Sequence, residues 1–287
     1  MRQILPFLLL SIFLISTNSF GQNKQLTAYQ IYNHKGKRVQ WKKLLRKVKT
    51  QDIVFIGELH NNALSHWMQY QLISSSSDNP RPIKVGAEMF ETDNQILIDE
   101  YFQGLISKKN FESEARLWNN YSTDYSPILN YAKENNIPFI ATNIPRRYAS
   151  AVYRMGDEFE EKLSTEAKKW ICPLPFKFPK ELDCYKGLMA MTGHGGENLA
   201  KAQAIKDATM GYFILKNYQP GDLFFHLNGN QHSINREAIV WYLLQSNPNL
   251  NILTIHTETN SDLKWQEDYE GKADYIFVVD ETIPTTY

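Results

Sequence analysis

Short apolar runs alternate along this chain with longer stretches whose apolar residues recur every three or four positions. The runs are 53–57 (IVFIG), 83–88 (IKVGAE), 137–142 (IPFIAT), 222–228 (DLFFHLN), 250–256 (LNILTIH) and 274–280 (DYIFVVD). Each is bounded by turn formers, and apolar residues cluster within it, as in strands buried on both faces. Helical spacing covers 62–74, 93–107, 111–119, 125–135, 197–217 and 233–246. Strand alternating with helix predicts an α/β fold, a mostly parallel central sheet flanked by helices. Segment 165–195 breaks the pattern. It holds Pro173, Pro175, Pro179, both cysteines and the run GLMAMTGHGG. It reads as a helical insertion or lid over the sheet edge, within one domain spanning 22–287.

The first 21 residues stand apart. One basic residue precedes an apolar run from Ile4 to Ile15, and small and polar residues follow. This is the pattern of a secretory signal peptide with cleavage near Gly21. The run is too short for a comfortable membrane span. No cysteine lies near the cleavage point, so no lipid anchor is expected. The mature chain is therefore predicted to be exported, in the periplasm or at the envelope. An oxidising compartment leaves a Cys172–Cys184 disulfide open.

Without that leader the chain carries 30 basic and 31 acidic side chains. The balance argues against a nucleic-acid partner, which calls for a basic excess. One stretch departs from it. Residues 35–49, KGKRVQWKKLLRKVK, hold eight basic residues and no acid. Trp41, Leu44, Leu45 and Val48 recur there at helical spacing, which predicts an amphipathic helix. Its basic face is either solvated or a patch for an anionic partner or membrane surface.

Candidate chemistry collects where the predicted strands end. The first ends on Gly57-Glu58-Leu59-His60, the second on Glu88, the third on Asn143, and the fourth just before His232. In open α/β sheets ligands bind beyond the carboxyl ends of the strands, so these landmarks point to one pocket. A carboxylate beside an imidazole raises its basicity and fixes its tautomer, and such a pair can activate water. Glu58, His60, Glu88 and His232 are thus candidate catalytic residues. His60, Glu88 and His232 are equally candidate ligands for a divalent metal. His66 and Gln69 follow one turn apart and can look back at the pocket. Arg146 and Arg147, at a strand–helix junction, can clamp a carboxylate. The insertion brings Tyr185, Met189, Met191 and His194 together, residue types that serve as axial haem ligands.

The stretches IGELHNN with His66 and Gln69, GAEMFETDNQ, YSPILNYAKENNIPFIATNIPR, AQAIKDATM and LNGNQHSIN resemble, in that order, the blocks of the ChaN-like haem-binding uptake proteins. These belong to a wider superfamily with Tiki proteases, TraB proteins and erythromycin esterases. The resemblance covers about residues 40–285. It implies an α/β domain with a helical insertion and a role in haem or iron uptake at the bacterial envelope. It also implies haem as ligand, held near Tyr185, His194 and Arg146, with a homodimer and an outer-membrane haem-uptake partner as expected associations. The enzymes of the superfamily use equivalents of Glu58, His60, Glu88 and His232 for hydrolysis. An esterase or peptidase therefore stands as the alternative to haem binding.

Overall fold

The computed structural model describes residues 26–191 and 196–287. The predicted leader and His194 lie outside the described residues. The strands are β1 (Tyr29–Asn33), β2 (Ile53–Glu58), β3 (Ile83–Glu91), β4 (Phe139–Asn143), β5 (Leu223–Gly229), β6 (Ile252–Asn260) and β7 (Tyr275–Asp280). They form one sheet in the order β1-β7-β6-β2-β5-β3-β4. All neighbours are parallel except β1, which pairs antiparallel with β7. The helices are α1 (Trp41–Val48), α2 (Ala63–Ser74), α3 (Gln95–Gln103), α4 (Lys108–Glu114), α5 (Ser126–Glu134), α6 (Arg146–Met155), α7 (Phe159–Lys162), α8 (Asp183–Met189), α9 (Gly196–Asn217) and α10 (Ile239–Ser246). The expected α/β class, with a mostly parallel sheet flanked by helices, is the class observed.

The central strand shows why its apolar run is continuous. All six residues of β2 are buried. Val54 and Ile56 pack into the core cluster that holds Met68, Leu72 and Ile73 of α2. Ile53 and Phe55 point the other way, onto Met210 and Ile214 of α9 and Ile239 and Val240 of α10. Alternate residues of a strand face opposite sides, and here helices cover both. α9 approaches α10 closely at Gly211, where a Cβ would lie 3.2 Å from Tyr242.

The chain leaves β2 towards β3 across β5, and leaves β5 towards β6 across β2. Connections from these two neighbouring strands thus run in opposite directions. This is the switch point at which doubly wound sheets open a crevice at their carboxyl ends.

Several boundaries differ from the sequence expectation, each for a local reason. The helix expected over 93–107 stops at Gln103 because Gly104 adopts a left-handed conformation with φ +76°, a common C-terminal stop. The helix expected over 111–119 ends at Glu114, where the backbone turns extended at Ala115. The helix expected over 233–246 starts only at Ile239, since Asn235, Arg236 and Ala238 all have positive φ. Strand β1 is an addition to the expected elements, and the junction expected at Arg146 opens α6. The basic stretch forms α1 as expected, with Leu44 and Val48 buried.

Within 165–195, a short turn at Ala167–Trp170 leads to α8, which packs along α9. Both cysteines are free thiols. Cys172 packs with Ile144 and Phe159, whereas Cys184 lies against the separate cluster around Tyr185. Among the described residues no helix is long and apolar enough to cross a membrane.

Candidate functional site

Glu58 closes β2 with its side chain wholly buried on the α2 side of the sheet. It collects donors. His60 Nδ1 lies 2.8 Å from Oε1, and the Tyr125 hydroxyl donates to the same oxygen at 2.7 Å. Gln69 Nε2 donates to Oε2 at 2.6 Å, and His66 Nδ1 lies 3.4 Å from that oxygen. Burial opposes the charge on Glu58, but the hydrogen bonds from His60 and His66 outweigh it and hold the carboxyl well below its ordinary range. An ionised carboxylate only accepts hydrogen bonds, so His60 donates through Nδ1 and turns Nε2 away from Glu58.

His60 is the open member of the pair. Its side chain keeps 37% of its exposure while Glu58 keeps none. Burial lowers its pKa, but the Glu58 hydrogen bond and the charge of Glu88 raise it above the ordinary imidazole value. Trp118 meets the His60 ring edge-on at 4.9 Å. Asn120 Nδ2 donates to the His60 carbonyl at 2.9 Å. Gly229, the last residue of β5, makes room for the ring: a Cβ there would lie 2.7 Å from His60 Cε1 and Nε2.

A second pair faces the first. Glu88 comes from β3, where the pairing with β4 shifts register between Ala87 and Glu91. Irregularities of this kind re-aim side chains beside functional sites. Glu88 Oε2 accepts from the Gly229 amide at 2.7 Å, and Oε1 lies 3.0 Å from His232 Nε2. The other nitrogen of His232 bonds to Asp207 of α9, whose second oxygen accepts from the Tyr185 hydroxyl at 2.8 Å. Burial disfavours a charged His232, but Glu88 and Asp207 on either side push its pKa up to about 10. Burial likewise opposes the charge on Glu88, and His232 more than compensates, drawing the carboxyl down to about 2.

Both pairs line one cavity of about 830 Å³ at the carboxyl ends of the strands. Its apolar walls include Trp118, Ile144, Leu188 and Met191, and Arg146 and Lys206 bring positive charge. The four residues expected at a pocket, Glu58, His60, Glu88 and His232, therefore meet there. Asn143 joins them, its buried Oδ1 without a hydrogen-bond partner. Arg146 is exposed and makes no ion pair among the described residues, whereas Arg147 is bound to Asp93 at 2.7 Å. His66 and Gln69 do look back, both onto Glu58.

One expectation, the divalent metal, is left without support. The set His60, Glu88 and His232 is not arranged as a metal site, and among the described residues no group of three His, Cys, Asp or Glu is. Both nitrogens of His232 face carboxylates, those of Glu88 and Asp207, whereas His60 gives Nδ1 to Glu58 and keeps Nε2 free. Tyr185 lines the cavity but is almost fully buried with its hydroxyl turned onto Asp207. Burial and the Asp207 charge push its phenol far up, so iron ligation there requires that hydrogen bond to break. Sequence reasoning also missed Trp118, Asn120, Tyr125 and Gly229. The first three come from the segment after α4, which folds back over the strand ends, and Gly229 closes β5, where only the His60 ring packed against it shows why a glycine is needed.

Fold and pocket define a doubly wound α/β protein with a buried carboxylate–imidazole site at its switch point. The chain belongs to the family described as haem-binding uptake, Tiki superfamily, ChaN, which matches residues 44–243. The structure of ChaN of Campylobacter jejuni, a cofacial haem binder, superposes with a TM-score of 0.68 at 16% identity, covering 90% of this chain and 98% of that one. A succinoglycan biosynthesis protein superposes with a TM-score of 0.52 at 13% identity, covering 85% of this chain and 91% of that one. At such identities the likeness is one of fold. No curated protein matches the sequence.

Proposed function

We propose that this chain is an exported haem-binding protein that serves haem or iron uptake at the bacterial envelope. The observation that carries the reading is the cavity itself. Its 830 Å³ lie within the range of small-molecule pockets, with aromatic and aliphatic walls for a flat apolar ligand. The unpaired Arg146 guanidinium lies where it can take a carboxylate of such a ligand. Membership of the haem-binding uptake family supports the same ligand. Haem here is cargo. The residues of this chain would bind it, shield it from water and neutralise its carboxylates. Cleavage near Gly21 would release the mature chain. Haem held cofacially, as in ChaN of Campylobacter jejuni, would engage a second copy of the chain. An outer-membrane haem-uptake protein is the expected donor or acceptor.

The test is a haem titration of the purified protein followed by absorption. A saturable Soret shift is expected, with weaker binding for Arg146→Glu and an altered spectrum for whichever of Tyr185→Phe, His194→Ala or His60→Ala removes the iron ligand. A Soret band that grows without saturating overturns the reading.

A hydrolase is the second reading, and one observation favours it. Glu58 fixes His60 as the Nδ1–H tautomer and leaves Nε2, which accepts no hydrogen bond among the described residues, at the edge of the cavity beside Glu88. That is the arrangement of a general base for water. Protonated His232 would stabilise developing negative charge across the same cavity. Ester and peptide substrates would be screened, and loss of turnover in His60→Ala with retained folding would support it.

A further inference from the structure

The basic stretch after β1 is not used by the pocket. Lys35, Lys37 and Arg38 precede α1, and Lys42, Lys43, Arg46 and Lys47 lie on it. None of the seven is buried, and none makes an ion pair among the described residues. Lys49 is the exception, paired with Asp78. The helix buries Leu44 and Val48 against the sheet, so its cations are turned to solvent by packing, not by chance. The mature chain outside residues 35–49 holds 22 basic and 31 acidic residues, so charge is segregated onto this one face of an otherwise acidic molecule.

We infer that this face is a docking surface for an anionic phospholipid membrane. Two features favour a bilayer over another polyanion. The cations lie exposed on a helix and its lead-in, and none of them lines the four best-formed cavities. Lysines predominate, and a lysine ammonium is a point charge suited to a diffuse layer of headgroups, whereas planar bidentate recognition favours arginine. Juxtamembrane cations are attracted by anionic lipid within a Debye length, so the contact is salt-sensitive. The partner rests on the export reading above, since an exported chain meets a leaflet of anionic lipid rather than nucleic acid.

The experiment is co-sedimentation of the purified protein with phosphatidylethanolamine vesicles made with and without phosphatidylglycerol. Binding is expected only with phosphatidylglycerol, and it should fall steeply as salt is raised. Combined Lys42→Glu, Lys43→Glu, Arg46→Glu and Lys47→Glu should lower partitioning at least about tenfold. Lys108→Glu with Lys109→Glu, on α4, should leave it unchanged. The glutamine counterparts at the four α1 positions serve if charge reversal unfolds the helix, as circular dichroism would show. Equal binding to both vesicle types, or no loss in either α1 set, overturns the inference. So does equally tight binding to duplex DNA at the same ionic strength. Cell fractionation decides the export reading separately, because vesicle binding by purified protein does not depend on where the cell places it.

Discussion

His60 and Glu58 are two residues apart at the end of one strand, yet only one of them reaches solvent. Glu58 is sealed under three donors, Tyr125, Gln69 and His60, with the His66 ring beside them, and it holds His60 by Nδ1 at 2.8 Å. The pair is therefore a fixed anion with a directed imidazole, and the carboxylate sets which nitrogen the cavity sees.

That relationship separates the two functional readings. His60→Ala should abolish ester or peptide hydrolysis, with losses of about 100- to 10,000-fold in kcat/KM, the usual worth of a general base. If the cavity only carries haem and His60 is not its ligand, the Soret spectrum should be unchanged by the same substitution. Running both assays on one preparation assigns His60.

Any reaction that uses His60 as base should follow its protonation. Only the neutral ring accepts a proton, and the ring's pKa is raised by Glu58 and Glu88 despite burial. The rate should therefore rise with pH through a value above that of an ordinary histidine. Glu58→Gln removes the anion that raises it, so the inflection of the pH–rate profile should move to lower pH.

Stability should depend on His232. Its folded pKa, about 10, is raised, so its contribution is fully present below the ordinary imidazole pKa and is lost as pH rises through about 10. Glu88 has the opposite sign. Its folded pKa is lowered to about 2, so its contribution is present above the ordinary carboxylate value and is lost as pH falls through about 2. His232→Asn should cost about 3–5 kcal/mol at neutral pH, because Glu88 and Asp207 are left buried beside each other without a cation. Denaturant midpoints measured across pH should show the alkaline decline in the native protein and a smaller one in the variant.

Gly229 should tolerate no side chain. Gly229→Ala would place its Cβ 2.7 Å from the His60 ring, and relieving the overlap should cost about 1–3 kcal/mol. The ring is the mobile party, so the His60 NMR resonance should shift along with the melting temperature.

Tyr125→Phe deletes a neutral donor to a buried carboxylate. A hydrogen bond to a charged group contributes about 1.5–3 kcal/mol, and a loss of that order is expected in chemical denaturation. The hydrolytic pH profile, where present, should also move, since Glu58 would then lean harder on His60 and His66.

The strands of the parallel core could be read from the chain because each is covered on both faces, so an apolar run has no alternating polar face to dilute it. β1 escaped for the opposite reason. It is a five-residue edge strand, YQIYN, whose polar positions look like a loop until β7 supplies its partner. That Glu58, Glu88 and His232 share one cavity was legible because parallel strands deliver their carboxyl ends to one side, so position along a run already implies position in space.

Local sequence carried no such rule for Tyr125, Asn120 or Trp118, which arrive from the segment after α4, whereas Asp207 and Gln203 could be read from helical spacing as polar groups able to face the pocket. Packing also decided what the shared residues can do. It set both nitrogens of His232 between carboxylates, turned the Tyr185 hydroxyl onto Asp207, and put Cys172 and Cys184 in different clusters. Residue type and strand register are properties of the chain and follow from it directly. The direction of a lone pair, and the proton it holds, depend on which buried charges lie beside it, and those neighbours exist only once the chain has folded.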